Sequence, residues 1–176
     1  MPAERFIEAL NDQVSNEFAA SHQYVAVAAF YEAQTLPQLA SFFYEQALEE
    51  RGHAMMMVQF LLDTGAEVTT PGVAAPSSRF ADAVEPIALA LAQEQRVSEQ
   101  INALAATARD AGDYSSEQFM QWFIKEQVEE VATMGGLLRV AERAGEDAET
   151  IEEYLAREHP GGEGTDPTAP QPAGTE

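Results

Sequence analysis

Glu50 and His53, in the run Glu50-Arg51-Gly52-His53, would share one face of a helix, where a carboxylate and an imidazole can both reach one cation. Such a pair is common by chance, and by itself it reads as a solvated surface contact. It gains weight from Glu17, Glu94 and Glu130, which stand at similar depth in three other stretches of apolar residues spaced by threes and fours. The stripes read Leu10, Val14, Glu17, Ser21, Tyr24, Ala28, Tyr31; then Phe43, Ala47, Glu50, Ala54, Met57, Leu61. The third is Ile87, Leu91, Glu94, Val97, Ile101, Leu104, Ala108, and the fourth Phe119, Phe123, Gln127, Glu130, Met134, Leu137, Ala141. Each is broken near its middle by a carboxylate. Desolvating unpaired carboxylates close together costs several kcal/mol for each ion, so such a set must take up protons or hold a countercharge. None of the 9 Lys and Arg residues falls in the stripes near the acids, which leaves metal cations as the countercharge. Two divalent ions would neutralise the four glutamates. Oxygen and nitrogen donors without thiolate suit iron or manganese, with zinc as an alternative.

Beside this set lie Glu49, on the second stretch, and Glu126 and Glu129, within Lys125-Glu-Gln-Val-Glu-Glu130. They read either as a solvated acidic face or as a third cation site, or a path by which ions enter and leave. Tyr24, two helical turns beyond Glu17, could hydrogen-bond a ligand or donate an electron, or could simply pack. Met55 to Met57 and Trp122 are most simply core or helix-contact residues. His22 falls off its stripe and His159 lies in the tail, so both are expected at the surface. Glu117 is expected as a solvated first-turn acid that complements the helix dipole.

These acids need four long helices to position them, and helix punctuation supplies four. The first covers about residues 4 to 34. The second opens at Thr35-Leu-Pro37-Gln38, a capping-box pattern with proline in the first turn, and closes at Gly65. The third opens at Asp82-Ala-Val-Glu85, with Pro86 in its first turn, and ends at Gly112; Ser115-Ser-Glu-Gln118 opens the fourth, which ends at Gly145. At about 28 to 31 residues each would be roughly 42 to 46 Å long. Between the second and third helices, residues 66 to 81 carry Pro71, Gly72 and Pro76 and no periodicity of their own. A connection this long argues against short turns throughout and for one crossover spanning the bundle. Ile151, Tyr154 and Leu155 predict a short fifth helix over 147 to 157. The expected organisation is one domain over 1–158 and a disordered acidic, Pro/Gly-rich tail over 159–176.

Composition narrows the function classes. With 9 basic against 30 acidic residues the formal charge is -21, which repels phosphate backbones and anionic lipid headgroups, so neither nucleic acid nor membrane is expected as a partner. Cysteine is absent, which excludes disulfides, zinc-thiolate sites, iron-sulfur clusters and cysteine nucleophiles. No stretch approaches the apolar length of a membrane span, and no signal-like start precedes Phe6, so a soluble, cytoplasmic protein is expected.

Asn16-Glu17, Glu49-Glu50-Arg-Gly-His53, Glu94 and the run Gln118-Phe-Met-Gln-Trp-Phe-Ile-Lys-Glu-Gln-Val-Glu-Glu130 resemble the prokaryotic non-haem ferritins, over about residues 4 to 157. The resemblance implies an all-α, ferritin-like four-helix bundle with one long crossover loop and a short fifth helix. It further implies that Glu17, Glu50 and His53 ligate a first iron, and that Glu50 bridges to a second held with Glu94 and Glu130. Gln127 would stand beside the second iron and Tyr24 near the first, while Glu49, Glu126, Glu129 and Glu130 would form a third iron site. Unlike bacterioferritins, the chain has Gln127-Val-Glu-Glu130 where they have a second Glu-x-x-His, and Arg51 where they have a haem-ligating methionine; no haem is implied. The implied activity is ferroxidation: two Fe(II) ions bind, dioxygen takes their electrons, and the product goes toward ferric oxyhydroxide stored inside a 24-subunit shell. A rubrerythrin-like or manganese-catalase-like di-metal peroxidase on the same bundle is the alternative, although rubrerythrins usually add a cysteine-ligated iron module that this chain lacks.

Overall fold

The proline-free apolar stripes form long helices, and the punctuation ends them. The computed structural model describes residues 2–70, 72–159 and 166–174. It contains α1 (Glu4–Ala33), α2 (Pro37–Asp63), α3 (Glu85–Asp110), α4 (Tyr114–Ala144) and α5 (Ala148–Glu158), with no strand among the described residues. α1 packs against α2, α3 against α4, and α1 meets α3. The short α5 lies against α4 and α2. This is the all-α four-helix bundle with a crossover and a fifth helix that the sequence predicts. No helix among the described residues is long and apolar enough to cross a membrane.

The helix ends differ in detail from the expected caps. Gly65 closes α2 at φ 70°, with its N–H on the Leu62 carbonyl and the Ala66 N–H on the Leu61 carbonyl, a Schellman pattern that glycine adopts without strain. Thr35 does not cap α2. It closes α1 in the same way, at φ 62°, where a β-branched residue is uncommon, because the Leu36 N–H returns to the Tyr31 carbonyl at 3.1 Å. The first free amides of α2 are instead taken by Glu152 of α5, which accepts from the N–H of Gln38 at 2.9 Å and of Leu39 at 2.7 Å. Asp113, not Ser115, caps α4: its carboxylate accepts from the Ser116 N–H at 3.2 Å and from the Ala3 N–H at 3.1 Å. At α3 only half of the expected box forms: Asp82 accepts from the Glu85 N–H, but Val84 is the N-cap and Glu85 reaches back to the Ala81 N–H instead of that of Asp82.

The crossover between α2 and α3 runs back along α1. Asn11 donates to the Glu67 carbonyl at 3.0 Å and accepts from the Thr69 N–H at 2.6 Å; farther along, Gln23 donates to the Ser77 carbonyl and accepts from its N–H, at 2.8 and 2.9 Å. Tyr31 donates to the Ala83 carbonyl at 2.7 Å. Three side chains thus supply the backbone partners that an irregular segment cannot find in itself. The sequence reading named neither Asn11 nor Gln23, since both sit beside the apolar stripe rather than in it.

Two apolar clusters fill the bundle. One holds Tyr24, Tyr31, Leu39, Phe43, Ile87, Met134 and Leu137, together with Ile151 and Leu155 of α5. The other holds Phe6, Leu10, Val14, Met57, Leu61, Ile101, Leu104, Met120 and Phe123. On every long helix the residues between the two clusters include the acids: Glu17 on α1, Glu50 on α2, Glu94 on α3, and Glu126 and Glu130 on α4.

Where a disordered tail is expected, residues 160–165 and 175–176 lie outside the described residues. Residues 166–174 return to the bundle. Asp166 accepts from the Trp122 indole N–H at 3.2 Å and lies 3.4 Å from the Lys125 ammonium, and the Ala173 N–H donates to the Met55 carbonyl at 3.0 Å. Composition does not register these contacts because they are polar and local to one face.

Candidate metal centre

The layer between the two clusters is polar and almost dry. Glu17 is 1 % exposed, Glu50 and Glu94 0 %, His53 2 %, and Glu130 and Gln127 5 %. His53 Nδ1 lies 3.1 Å from Glu50 Oε2, as the one-turn spacing on α2 requires. Ligand atoms of Glu17, Glu50 and His53 lie within 4.8 Å of one another, close enough to hold one ion. On the other side of Glu50, Glu94 accepts from the Tyr24 hydroxyl and from Gln127 Nε2, the latter at 3.4 Å, while Ser98 Oγ donates to Gln127 Oε1 at 3.0 Å. Tyr24 and Gln127 therefore both stand at Glu94.

Burial dominates the electrostatics of this layer. It pushes the Glu17 carboxyl up to about 7 and raises Glu94, and it raises Glu50 well above the usual carboxylate range, helped by the neighbouring charges of Glu94, Glu17 and Glu130. The same burial lowers His53 to about 4, so its imidazole is neutral at pH 7 and its contact with Glu50 is a hydrogen bond rather than an ion pair. A neutral imidazole is the form that binds metal. One oxygen of Glu17 and one of Glu50, Oε2 and Oε1 respectively, are buried with no amide or hydroxyl donor, so in the absence of a cation the two carboxyls have only a shared proton between them. Such orphaned acceptors fit cations, which would supply what the helices withhold.

The second expected set divides. Glu49, His53 and Glu126 bring ligand atoms within 4.8 Å of one another. Glu129 is not brought into that group: its side chain is 59 % exposed and its carboxylate lies 3.7 Å from the Lys125 ammonium. Position 129 lies on the exposed edge of α4 with its neighbour Val128, which is 69 % exposed. Trp122 and Phe123 set their edges against the His53 ring, at centroid distances of 5.6 and 5.8 Å, and screen it from solvent. Trp122, expected only as a packing residue, thus touches a site residue. Arg51 and His22 are exposed, His159 packs against the Phe42 ring at 5.5 Å, and Glu117 pairs with Arg109 at 2.8 Å instead of standing solvated. Sequence reasoning missed Gln13, which is 2 % exposed and donates to Glu17 Oε1 at 2.7 Å. An amide four residues before a buried acid on the same helix was the available signal.

A model of the ferritin-like domain matches residues 7–144. The chain belongs to the ferritin family. Among ferritins it is similar to ferritin BfrB of Mycolicibacterium smegmatis, 54 % identical over 170 residues that cover 97 % of this chain and 93 % of that one. It is also similar to the bacterial non-heme ferritin of Staphylococcus aureus, 35 % identical over 154 residues covering 88 % and 93 % of the two chains. The open pore ferritin of the archaeon Archaeoglobus fulgidus superposes with a TM-score of 0.84 at 27 % identity, over 88 % of this chain and 97 % of that one. The ferritin match ends where α4 ends, so α5 and the tail lie beyond it.

Proposed function

We propose that this ferritin stores iron by oxidising Fe(II) with dioxygen within each subunit. The observation that carries the reading is the layer of buried glutamates from four helices, with Glu17 Oε2 and Glu50 Oε1 left without an amide or hydroxyl donor. Iron is the substrate. Glu17, Glu50 and His53 would take one ferrous ion, and Glu94 and Glu130 a second, with Glu50 between the two. Gln127 would hold its amide beside the second ion, and Tyr24, hydrogen-bonded to Glu94, would fix that carboxylate in place. Hard carboxylate donors favour the ferric over the ferrous state, so each ion gives up one electron to dioxygen at low cost. The two electrons would reduce dioxygen to hydrogen peroxide, and the ferric pair, hydrolysed by water with release of protons to solvent, would leave as oxyhydroxide and free the carboxylates for the next pair.

Glu49, His53 and Glu126 would hold a third cation beside the pair or pass ions along, with Glu129 and Lys125 at the exposed end. The formal charge of -21 favours cation approach over anion approach. Self-association into a closed 24-subunit shell, with α5 at its four-fold axes, is the assembly that family membership implies, in the cytoplasm. Residues 1–158 would be the shell-forming unit, with 159–176 an appended tail. A peroxidase of the rubrerythrin or manganese-catalase kind has no observation in its favour, since the relatives at 54 % and 35 % identity are ferritins.

The test is anaerobic Fe(II) addition followed by oxygen, with absorbance and particle mass recorded on one sample. The parent should show fast ferric absorbance in a large closed particle. Glu50→Ala and His53→Ala should abolish the fast phase while leaving the particle assembled; oxidation at the parent rate would remove the site assignment.

A further inference from the structure

Glu17 and Gln13 are one helical turn apart on α1, and both are buried. The Gln13 amide makes two bonds with opposite roles. Its Nε2 donates to Glu17 Oε1 at 2.7 Å, and its Oε1 accepts from Asn16 Nδ2 at 3.1 Å. With the carbonyl end claimed by a donor, the amide can turn only its NH2 toward Glu17. One carboxylate oxygen is thereby taken, and the other, Oε2, is left buried with no amide or hydroxyl donor, beside the Glu50 carboxyl. Glu17 shares its group with Glu50 and His53.

We propose that Gln13 is a positioning residue for the first metal position, holding Glu17 so that it offers a single oxygen, Oε2, and that Asn16 in turn holds Gln13. The inference rests on the reading of Glu17 as an iron ligand and adds to it. A carboxylate free to rotate can bind through both oxygens or swing away; one whose first oxygen already accepts a short amide bond binds through the second alone. Fixed ligand orientation is worth affinity and geometry, and removing such a partner typically costs about 10- to 100-fold in metal binding. Asn16 is half-buried and lines an open cavity of about 190 Å³ between α1, α3 and the crossover, so shortening it leaves no new void in the core.

The experiment uses the assembled full chain and two probes that do not oxidise: Zn(II) by titration calorimetry and Co(II) by visible absorption. Gln13→Leu keeps the volume and removes the donor. It should weaken the tightest Zn(II) site by about 10- to 100-fold and change the intensity and position of the Co(II) bands, as Glu17 changes from one bound oxygen to two. The particle size should stay that of the parent, and the metal-free melting temperature should fall only as far as the loss of one buried hydrogen bond requires. Gln13→Glu, which replaces the donor with an acceptor, should lose at least as much affinity, and Asn16→Ala should lose less. A merely structural role would lower the melting temperature and leave the Co(II) bands unmoved. If Gln13→Leu does not assemble, Gln13→Glu and Asn16→Ala carry the same readings. Zn(II) affinity within about twofold of the parent, with an unchanged Co(II) spectrum, overturns the proposal. A parent that binds neither ion would overturn the ligand reading itself and this inference with it.

Discussion

The Tyr24 hydroxyl on α1 donates to the Glu94 carboxylate on α3, joining two fully buried groups across the bundle. Burial and the surrounding acids hold the phenol well above its usual range, so at neutral pH it is a donor and never a competing charge. Tyr24→Phe removes the donor and leaves Glu94 with the longer bond from Gln127 Nε2. The variant should lose about 1–2 kcal/mol of stability and oxidise Fe(II) several-fold more slowly. Thermal melts and stopped-flow absorbance would show both, and a variant equal to its parent in both would exclude a role for this bond.

The metal-free protein should be destabilised as pH rises through the weakly acidic range. Glu17 has a carboxyl near 7 in the folded chain against 4.5 ordinarily, so its contribution is full below 4.5 and is lost as pH climbs toward 7; Glu50 and Glu94 shift in the same direction. His53 acts the other way: lowered from 6.5 to about 4, it favours the fold above 6.5 and loses that contribution as pH falls toward 4. Three acids outweigh one imidazole, so melting temperature should fall between about pH 5 and 7. Glu17→Gln should flatten that fall. Saturating Zn(II) should raise the melting temperature most at the upper end, where the carboxylates are ionised. A metal-free melting temperature that rose steadily from pH 5 to 7 would contradict the burial of these groups.

The crossover should come loose without its side-chain anchors. Asn11→Ala and Gln23→Ala each remove two hydrogen bonds to loop backbone, leaving a carbonyl and an N–H to find water. Each change should cost about 1–3 kcal/mol, and the double variant should be cut by protease between α2 and α3 well before the parent is. Equal cutting rates would mean that the loop is held by something other than α1.

Trp122 is the single tryptophan, so its fluorescence reports on one place. A chain ending at residue 165 loses the Asp166 acceptor and should show an emission shift to longer wavelength as water reaches the indole. Asp166→Ala should reproduce most of the shift. Since Trp122 also lies against His53, the shortened chain should change the rate at which Co(II) enters the site. An unmoved emission spectrum would place the tail elsewhere in solution.

How much of this was legible in the residues depends on which force decides each feature. Burial follows periodicity, so the stripes located Glu17, Glu50, Glu94 and Glu130 in the interior of the bundle, the three-residue spacing added His53 to Glu50, and all five are buried. Leu91 and Phe119 mark the limit of that reading, since both lie in their stripes yet are only partly buried where the helices diverge from a strict repeat. Neighbours across helices were out of reach: nothing in Glu152 announces that it serves α2, and nothing in Asp166 that it meets Trp122. Thr35 was misassigned because a threonine before a proline-containing turn looks like the start of a helix, whereas its backbone completes the end of the one before. The spacing of Glu129 from Glu126 allows a shared face, and it is the pairing with Lys125 at the exposed edge of α4, invisible to spacing alone, that separates them.

The contact between Glu152 and the first amides of α2 makes the short fifth helix more than an appendage. Pro37 has no N–H to satisfy, so the next two donors on α2 face a carboxylate borrowed from the far end of the chain, and its negative charge suits the positive end of the helix dipole. α2 is also the helix on which Glu50 and His53 ride. Whatever unseats α5, whether a neighbouring subunit, a truncation or heat, will free the first turn of the same rod that carries those two side chains about three turns further along.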